Sequence, residues 1–586
     1  PSWDGKLKIL FASQPAVVRW LSAFHMLSLC VRESMWLGFL LWRLSWSRDG
    51  VESHAVSPPA GRRPKPKHVL FILADDLGLG DVGLYNPSRE GDTPSIDRLG
   101  REGVVFRNFR VMSPVCSPSR ASFLVGMEAS VAGYPNLAEC EENKGYYASP
   151  SDGARRSVAT DAVGRLNESW PNVAKVMSEA GYATALYGKW HLGCDGLPRP
   201  DLYGFDAARA WQANGPGWDA YDRYDELRTS DKHGLNELLV ADARRFLKTT
   251  TTQRGDEANV FLSINPPLPH APLAPRREHV AMVGPRSCRL DDVLPKGFQW
   301  TRERVKRPRV SSVACAERVY RGSVYSFDLL VGELVFDVFP GDDVLTIVTS
   351  DNGPEIPAKY GSERFTQRGL SLRRGRKRSL YQGGVLVPFV ARWRDGGLVA
   401  DAHDRDHLAR KDVVAIDLLP TLAALVGVGL PADPRRKGRN FLAEDNDDDD
   451  DDANPGTAAP ATTLVWEWAY AVAPCQASAP RFAAARRDSS VKILLEPATP
   501  PYDRFEVFNL SQSPAEAVET REPAAVDLAA DIASDIARWA RDELPPTAGR
   551  FVVRTHATCE RTEASAVPGA PVAPAVPVAP AAPAAP

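Results

Sequence analysis

The stretch HVLFILADD, residues 68–76, decides the fold, because a short and continuous apolar run stops abruptly at two aspartates. Such a run predicts a strand that is buried on both faces. The stretch DVLTIVTSDNG, residues 343–353, is built in the same way and stops at Asp351 and Asn352. Between residue 68 and about residue 440 these runs alternate with helical periodicity. The pattern predicts an α/β protein with a large, mostly parallel sheet sandwiched by helices.

Two further apolar runs end in side chains that bind anions or move protons. YATALYGKWH, residues 182–191, ends with Lys189 and His191. ANVFLSINPPLPH, residues 258–270, passes through a proline turn to His270. In doubly wound sheets the ligand binds outside the carboxyl ends of the strands. We therefore expect the polar groups that follow all four runs to converge on one crevice.

The acidic groups of this crevice predict a metal site. Asp75, Asp76 and Asp351 offer carboxylates and Asn352 offers an amide carbonyl. These are the hard oxygen ligands that Ca²⁺ and Mg²⁺ prefer. Zinc is disfavoured, because no histidine or cysteine stands beside these residues in the sequence. The competing interpretation is that the two adjacent aspartates only cap the following helix.

The basic groups of the crevice predict a polyanionic substrate. Residues i and i+2 of an extended chain point the same way, so Lys189 and His191 are expected to face one anion. Lys377 lies in a loop with Arg373, Arg374, Arg376 and Arg378, and these arginines are expected to bind further anionic groups of the substrate, such as sulfates. The competing interpretations are a surface lysine beside a core histidine, a rigid proline turn at His270, and a solvated loop around Lys377.

The stretch CSPSRASFLVG, residues 116–126, places Cys116 at the start of a predicted helix, with Arg120 four residues later. A buried structural thiol and a reactive group are both open interpretations of Cys116. With GYATALYGKWHLG (181–193), TSDNGP (349–354) and KRSLYQGGVLVPFVARW (377–393), the stretch resembles the signature motifs of the type I sulfatases. These arylsulfatase-like, formylglycine-dependent enzymes belong to the alkaline phosphatase-like superfamily. The resemblance covers residues 68–440, with a weaker match at residues 505–516.

The resemblance implies a role for each candidate residue. Cys116 would be converted to formylglycine by a formylglycine-generating enzyme, and the hydrate of this aldehyde would attack a sulfate ester. One calcium ion would be bound by Asp75, Asp76, Asp351, Asn352 and the side chain at position 116. Arg120 would hold the hydrate and a metal-ligand carboxylate. Lys189 and Lys377 would neutralise the sulfate, His270 would protonate the leaving oxygen, and His191 would deprotonate the remaining hydroxyl.

Two departures from the family pattern and two competing functions accompany this resemblance. Gln382 stands where the family usually has a glutamate, and Leu386 stands where it has an arginine. Neither position belongs to the catalytic set, so these differences concern substrate preference more than the catalytic reaction. A phosphonate or phosphate diesterase of the same superfamily would use the same metal and nucleophile. A non-catalytic protein that binds sulfated glycans is the other alternative, although a binding protein has no need of a convertible cysteine.

Composition limits the partners. The chain has 71 Lys and Arg against 74 Asp and Glu, so a nucleic-acid partner is not expected. Its eight cysteines are too sparse for a disulfide scaffold. Acceptor patterns at Asn167-Glu168-Ser169 and Asn509-Leu510-Ser511 fit a glycoprotein of the secretory pathway, lysosomal or extracellular.

The domain organisation follows from shifts in composition. Residues 1–66 are interpreted as a targeting or disordered segment, whose apolar run MWLGFLLWRLSW (35–46) is too short to span a membrane. Residues 67–440 form the predicted catalytic domain, and 441–460 an acidic disordered loop. In residues 461–550, TLVWEWAY, SVKILLEP and FEVFNL predict a small antiparallel sheet, covered by a helix with Leu528, Ile532, Ile536 and Trp539 on one face. Residues 551–586 form a Pro/Ala-rich disordered tail.

Overall fold

The structure of the chain is a computed structural model. It describes residues 64–134, 166–193, 199–211, 232–271, 273–285, 287–297, 312–355, 372–399, 405–443, 462–468, 481–487, 489–495, 505–512 and 523–542. These residues belong to one compact unit, Pro64–Pro586. The predicted amino-terminal segment, acidic loop and carboxy-terminal tail lie outside the described residues, apart from 64–66 and 441–443.

The core of the described chain is a seven-stranded sheet with the order β2-β8-β7-β1-β6-β4-β5. Its strands are β1 (His68–Ala74), β2 (Val104–Phe106), β4 (Ala183–Lys189), β5 (Ala207–Trp211), β6 (Val260–Asn265), β7 (Val344–Ser350) and β8 (Phe389–Arg392). A separate short pair joins β3 (Phe109–Arg110) to β9 (Val413–Val414). Strand β1 is central and pairs in parallel with β6 and β7, whereas β8 is antiparallel to its neighbours. The predicted mostly parallel sheet is confirmed.

Helices cover both faces of this sheet. The helices among the described residues are α1 (Pro94–Glu102), α2 (Cys116–Val125), α3 (Val173–Glu179), α4 (Lys232–Arg254), α5 (Arg277–Met282), α6 (Leu290–Val293), α7 (Val313–Glu333), α8 (Gln382–Val385), α9 (Arg405–Arg410), α10 (Leu418–Val426) and, on the smaller carboxy-terminal sheet, α11 (Pro523–Asp542). Alternate side chains of β1 point to opposite faces. Val69, Phe71 and Leu73 therefore join the core that contains α2, α3 and α10. Their neighbours in β1 join a second core, built with α4 and α7.

A four-stranded antiparallel sheet forms the carboxy-terminal part of the described chain. Its strands are β10 (Thr463–Trp468), β11 (Arg481–Arg486), β12 (Val491–Leu495) and β13 (Phe505–Asn509), paired in that order. Three of them and the helix α11 confirm the predicted elements, whereas the sequence did not predict β11. On the inner face of α11, Ile532 is buried and Leu528 is half-buried. The side chains of Ile536 and Trp539 lie outside the described residues.

Buried polar contacts fasten this small sheet to the part of the chain that holds the large sheet. The Trp466 indole donates to the carbonyl of Val111 at 2.7 Å. The Val465 amide donates to the Glu128 carboxylate at 2.7 Å. Because both donors lie in β10, this strand forms part of the seam between the two parts. No helix among the described residues is long and apolar enough to cross a membrane.

A disulfide links Cys288 to Cys315, 27 residues apart in the sequence. This pairing was not predicted from the sequence, because the spacing of the two cysteines matches no recognised pattern. The bond ties the segment between α5 and α6 to the first turn of α7.

Candidate active site

Cys116 lies where the carboxyl ends of the central strands meet. It is the first residue of α2, and its Sγ lies 3.6 Å from Asp75 Oδ1 and 4.0 Å from Asp76 Oδ1. Asp75 and Asp76 directly follow β1. The Lys377 Nζ lies 3.3 Å from the same sulfur. The structure thus brings the cysteine, the aspartate pair and one predicted lysine into a single buried cluster.

Three charge pairs surround the cysteine. Lys189 donates to both Asp75 oxygens at 2.9 and 2.8 Å. Lys377 does the same to Asp76 at 2.6 and 2.9 Å. The Arg120 guanidinium forms a fork on Asp351 Oδ2 at 2.9 and 2.6 Å, and it also donates to the Lys189 carbonyl at 2.9 Å. All of these side chains are buried. Each predicted cation therefore has a predicted carboxylate as its partner.

These pairs set the protonation of the cluster. Burial alone raises the pKa of Asp75, but Lys189 and the other cations outweigh it and hold that pKa well below its usual range. Burial raises the pKa of Asp351 to about 6, against the opposing effect of Arg120. Burial lowers the pKa of Lys377, but Asp76 and Cys116 reverse this and raise the pKa well above its usual value. The lysine therefore stays charged.

The two histidines occupy different environments. His270 is slightly exposed, and its Nε2 lies 3.5 Å from Asp76 Oδ2. His191 is fully buried, and its Nδ1 has no hydrogen-bond partner among the described residues. Burial, reinforced by Lys189 and Arg120, holds the pKa of His191 well below its usual value. The imidazole of His191 is thus neutral and able to accept a proton.

The expected strand geometry of Lys189 and His191 needs a correction. Strand β4 ends at Lys189, and His191 has a φ of 56°, so the two side chains do not alternate along one extended chain. Asp76 and Arg378, with φ values of 70° and 67°, are also in the left-handed region. Such conformations cost about 1–3 kcal/mol each in a non-glycine residue. Their concentration here marks a site whose geometry the surrounding fold imposes.

The acidic groups suit a metal ion. Ligand atoms of Asp75, Asp76, Cys116 and His270 lie within 4.8 Å of one another. The Asn352 amide nitrogen donates to Asp76 Oδ1 at 2.7 Å, while its Oδ1 is buried without a hydrogen-bond partner in the described part of the chain. Asp351 Oδ1 accepts from the Asp76 amide at 3.2 Å. The predicted ligands are therefore contiguous, and a buried carbonyl oxygen without a partner fits a bound cation. His270 joins the group, although the sequence predicted only proton transfer for it.

The arginines around Lys377 contact acids and rings of the protein. Arg374 lies over the Tyr381 ring at 3.8 Å and 3.7 Å from Glu506. Arg376 and Arg378 both pair with Glu355. These contacts anchor the loop that delivers Lys377. That these arginines bind further sulfates stays a prediction. Their contacts in the structure add a second role, which is to hold the Lys377 loop in place.

Other residues support the site without having been predicted. The Asn265 amide donates to the Lys189 carbonyl at 3.0 Å, and Ser350 Oγ accepts from the Leu77 amide at 2.9 Å. The buried Lys492 of β12 donates to the Leu380 carbonyl at 2.7 Å, within the Lys377 loop. Gly188, with a φ of 111°, has no room for a side chain, because a Cβ would lie 2.2 Å from the Asn265 carbonyl oxygen. All four residues lie within stretches singled out in the sequence, but the sequence pattern assigned none of them a role of its own.

Comparison with known proteins identifies the family. The profile described as Sulfatase matches residues 67–428. N-acetylgalactosamine-6-sulfatase of Homo sapiens is 27% identical over 413 residues, which cover 65% of this chain and 66% of that protein. Arylsulfatase A of Homo sapiens is 29% identical over 391 residues, which cover 63% of this chain and 65% of that protein. These matches thus span slightly less than two thirds of each relative.

A solved structure shares the fold. Ps i-CgsB in complex with k-i-k-neocarrahexaose superimposes with a TM-score of 0.56 at 21% identity, covering 86% of this chain and 98% of that one. The matched profile includes the central sheet strands from β1 to β8, together with the aspartates, the cysteine and both lysines of the cluster. The chain belongs to the sulfatase family.

Proposed function

We propose that this protein hydrolyses an aryl or carbohydrate sulfate ester, with a nucleophile derived from Cys116. The observation that supports this most directly is the position of Cys116 at the first turn of α2, 3.3 Å from the Lys377 ammonium. The free amides of a helix start and a buried lysine both favour an anion next to this side chain. The two named human relatives are sulfatases by name, which supports the same ester class.

The unmodified thiol is poorly suited to the reaction. Burial and the nearby Asp351 raise the pKa of Cys116 to about 12, so the sulfur stays protonated at neutral pH. We infer that Cys116 is converted to formylglycine by a formylglycine-generating enzyme. The hydrate of this aldehyde supplies one hydroxyl that attacks sulfur and a second through which the bound sulfate is released.

We infer that a single calcium ion is bound, because the family resemblance implies calcium and the donor set suits a hard cation. Asp75, Asp76, Asp351 and Asn352, with the side chain at position 116, would hold it, because carboxylate and amide oxygens are hard ligands. When bound, calcium polarises a sulfate oxygen and lowers the pKa of the hydrate. Arg120 keeps Asp351 oriented through its two hydrogen bonds.

The remaining side chains handle charge and protons. Lys189 and Lys377 neutralise the sulfate. His270 lies at the exposed side of the cluster, with 12% of its side chain accessible, and donates a proton to the leaving oxygen. His191 is buried and neutral, so it accepts the proton from the hydroxyl whose loss releases sulfate.

A secretory, lysosomal or extracellular location is consistent with two features. The Cys288–Cys315 disulfide fits an oxidising compartment. In both acceptor patterns the serine hydroxyl donates to the asparagine Oδ1, at 2.7 Å for Asn167 and 2.6 Å for Asn509. Asn167 is exposed and Asn509 is half-buried, and we infer a glycoprotein with these two sites.

The nucleophile is tested by two substitutions of one residue. Cys116→Ser is expected to accept a sulfate group but not to release it, because a serine has no second hydroxyl. The intact protein should then gain the mass of one SO₃ group after exposure to an aryl sulfate, whose phenol leaves with the serine proton. Cys116→Ala is the control and should gain none. An unchanged mass for the serine variant contradicts the two-step reaction, and turnover of phosphate diesters without turnover of sulfate esters supports the diesterase alternative.

The metal site is tested by Asp351→Asn. This change should lower both the bound calcium, measured by elemental analysis, and the rate of sulfate release by at least about a hundredfold. Asp342→Asn is the matched control, because Asp342 is 61% exposed and pairs only at the surface with Arg394. An equal loss of calcium in both variants contradicts the proposed position of the metal.

A further inference from the structure

Two buried residues, Asp81 and Tyr320, contact each other outside the group of predicted site residues. Asp81 ends a short 3₁₀ turn, Leu79–Asp81, which follows closely on the proposed metal ligand Asp76. The Tyr320 hydroxyl of α7 donates to Asp81 Oδ2 at 2.6 Å. Asp81 is 3% exposed and Tyr320 is fully buried. The proposed sulfatase reaction uses neither side chain, so their contact calls for another explanation.

Three consecutive backbone amides after β1 each donate to a side chain. The acceptors for residues 76, 77 and 78 are, in that order, Asp351 Oδ1 at 3.2 Å, Ser350 Oγ at 2.9 Å and Asp81 Oδ2 at 2.8 Å. Asp76 has a φ of 70°, a left-handed conformation that a non-glycine residue keeps only when its surroundings impose it. The three hydrogen bonds impose it here. Asp81 is the acceptor that lies outside the TSDNGP motif.

The Asp81 carboxylate is itself held by Tyr320. In the described part of the chain this carboxylate accepts from two donors, the Gly78 amide and the Tyr320 hydroxyl, both at Oδ2. The Tyr320 ring belongs to the core that is built with α4 and α7. A hydroxyl on a packed ring has a fixed position, because neighbouring side chains restrict the rotamer of the ring. Tyr320 therefore fixes the carboxylate that holds the Gly78 amide.

Other contacts on the same side of α7 keep Tyr320 in place. Glu317, three residues earlier, pairs with Arg89 at 2.6 Å. Asp328, eight residues later, accepts from the Ser95 amide at 2.9 Å. Residues with this spacing lie on one side of a helix. Both partners belong, like Asp81, to the connection between β1 and β2, so α7 holds this connection at several points.

We propose that Tyr320 and Asp81 are positioning residues for the metal ligand Asp76. Tyr320 fixes Asp81, and Asp81 holds the Gly78 amide. This amide in turn keeps Asp76 in the left-handed conformation in which its carboxylate lies beside Cys116. The two residues act through the backbone and not as ligands. The inference rests on the calcium site of the proposed function.

Calcium affinity tests the proposal without relying on turnover. Isothermal titration of calcium into the calcium-free protein should show that Tyr320→Phe weakens binding about tenfold, at the lower end of the range for residues that support metal ligands. Asp81→Ala should weaken it at least as much. The double variant should bind calcium no more weakly than Asp81→Ala alone, because Tyr320 acts only through Asp81.

Tyr182→Phe is the matched control. Tyr182 is also buried, and its hydroxyl donates to the Pro66 carbonyl. It precedes β4, whose seven residues place it roughly 20 Å from the carboxyl ends of the strands. This variant should bind calcium like the parent. Thermal unfolding of the calcium-free proteins shows which variants fold, and if Asp81→Ala does not fold, the comparison of Tyr320→Phe with Tyr182→Phe still decides.

Three outcomes overturn the proposal. They are parental calcium affinity in Tyr320→Phe, an equal loss of affinity in Tyr182→Phe, and losses that add up in the double variant. A parent that binds no calcium would refute the metal site together with this inference. A parent that binds calcium but cleaves no sulfate ester would refute the sulfatase function, whereas a tenfold loss in Tyr320→Phe would still support the positioning role.

Discussion

Substituting Glu467 by glutamine is expected to stabilise the protein above neutral pH and to leave its stability in acid almost unchanged. Glu467 lies in β10 with 4% of its surface exposed, and it accepts a hydrogen bond from Ser130 across the seam between the two parts. Its Oε1 has no hydrogen-bond partner within the described part of the chain. Burial raises the pKa of Glu467 to about 7, from an ordinary value of 4.5, against the opposing effect of Ser130. The carboxyl is therefore held protonated in the fold.

The size of the effect follows from the two pKa values. Below pH 4.5 the carboxyl is protonated in both the folded and the unfolded chain, so it causes no pH dependence. Between pH 4.5 and about 7 the unfolded chain releases the proton while the folded chain keeps it, and the free energy of unfolding falls as pH rises. At about 1.36 kcal/mol for each factor of ten in proton affinity, the loss reaches roughly 3 kcal/mol above pH 7. Glu467→Gln cannot ionise and removes this loss.

Urea unfolding at a series of pH values measures the difference between the parent and the Glu467→Gln variant. The buried Trp466, whose indole donates to the Val111 carbonyl, contributes to the tryptophan emission that reports on this seam. Comparing the two proteins at each pH cancels the other titrating groups that they share. Glu333→Gln is the control, because Glu333 is 45% exposed and should show no such trend. A difference that stays constant from pH 4.5 to 8 would refute the reasoning.

Two further predictions concern the disulfide and the Lys377 loop. Replacing Cys288 and Cys315 by serine should lower the free energy of unfolding by about 3.5 kcal/mol, because the bond closes a loop of 27 residues, and urea unfolding measures this loss. Lys492→Met should reduce the turnover of an aryl sulfate about tenfold with little change in KM, because the buried ammonium holds the Leu380 carbonyl in the loop that delivers Lys377.

Each of these predictions has its own control. A reductant should destabilise the parent protein to the level of the double serine variant and should not affect that variant; a parent that is indifferent to reductant contradicts the first prediction. For the loop, Lys411→Met removes a lysine-to-carbonyl hydrogen bond of the same 2.7 Å length far from Lys377 and should leave turnover intact. Rescue by Lys492→Arg supports a positioning role, whereas equal turnover of Lys492→Met and Lys411→Met argues against it.

The sequence predicted the features that depend on local pattern. The apolar runs that end at Asp75 and Asp351 identified the central strands and their ligand edge, because a buried parallel strand leaves a continuous apolar signal. The grouping of these aspartates with Cys116 in space agrees with the signature motifs. Strand β11 was missed, because its three alanines and two arginines lack the β-branched residues that mark a strand.

Local sequence patterns did not predict the contacts between distant parts of the chain. The Cys288–Cys315 disulfide and the hydrogen bond from Lys492 to Leu380 join residues that become neighbours only when the chain folds. The conformation of His191 was also not predicted. The expectation that Lys189 and His191 point the same way holds only for an extended chain, and the left-handed backbone of His191 ends that alternation of side chains. Its burial beside Lys189 arises from tertiary packing.

Cys116 is the first residue of α2 and only 1% of its surface is exposed, so folding limits the time in which this side chain can be modified. An enzyme that modifies this side chain must reach it while the chain around it is still open. Lys377, which contacts the sulfur, follows it by 261 residues, and ribosomes add about 5–20 residues per second. The chain therefore offers Cys116 for roughly 10 to 50 s before Lys377 is added. Slower translation of this interval should raise the fraction of matured protein, and faster folding of the amino-terminal strands should lower it.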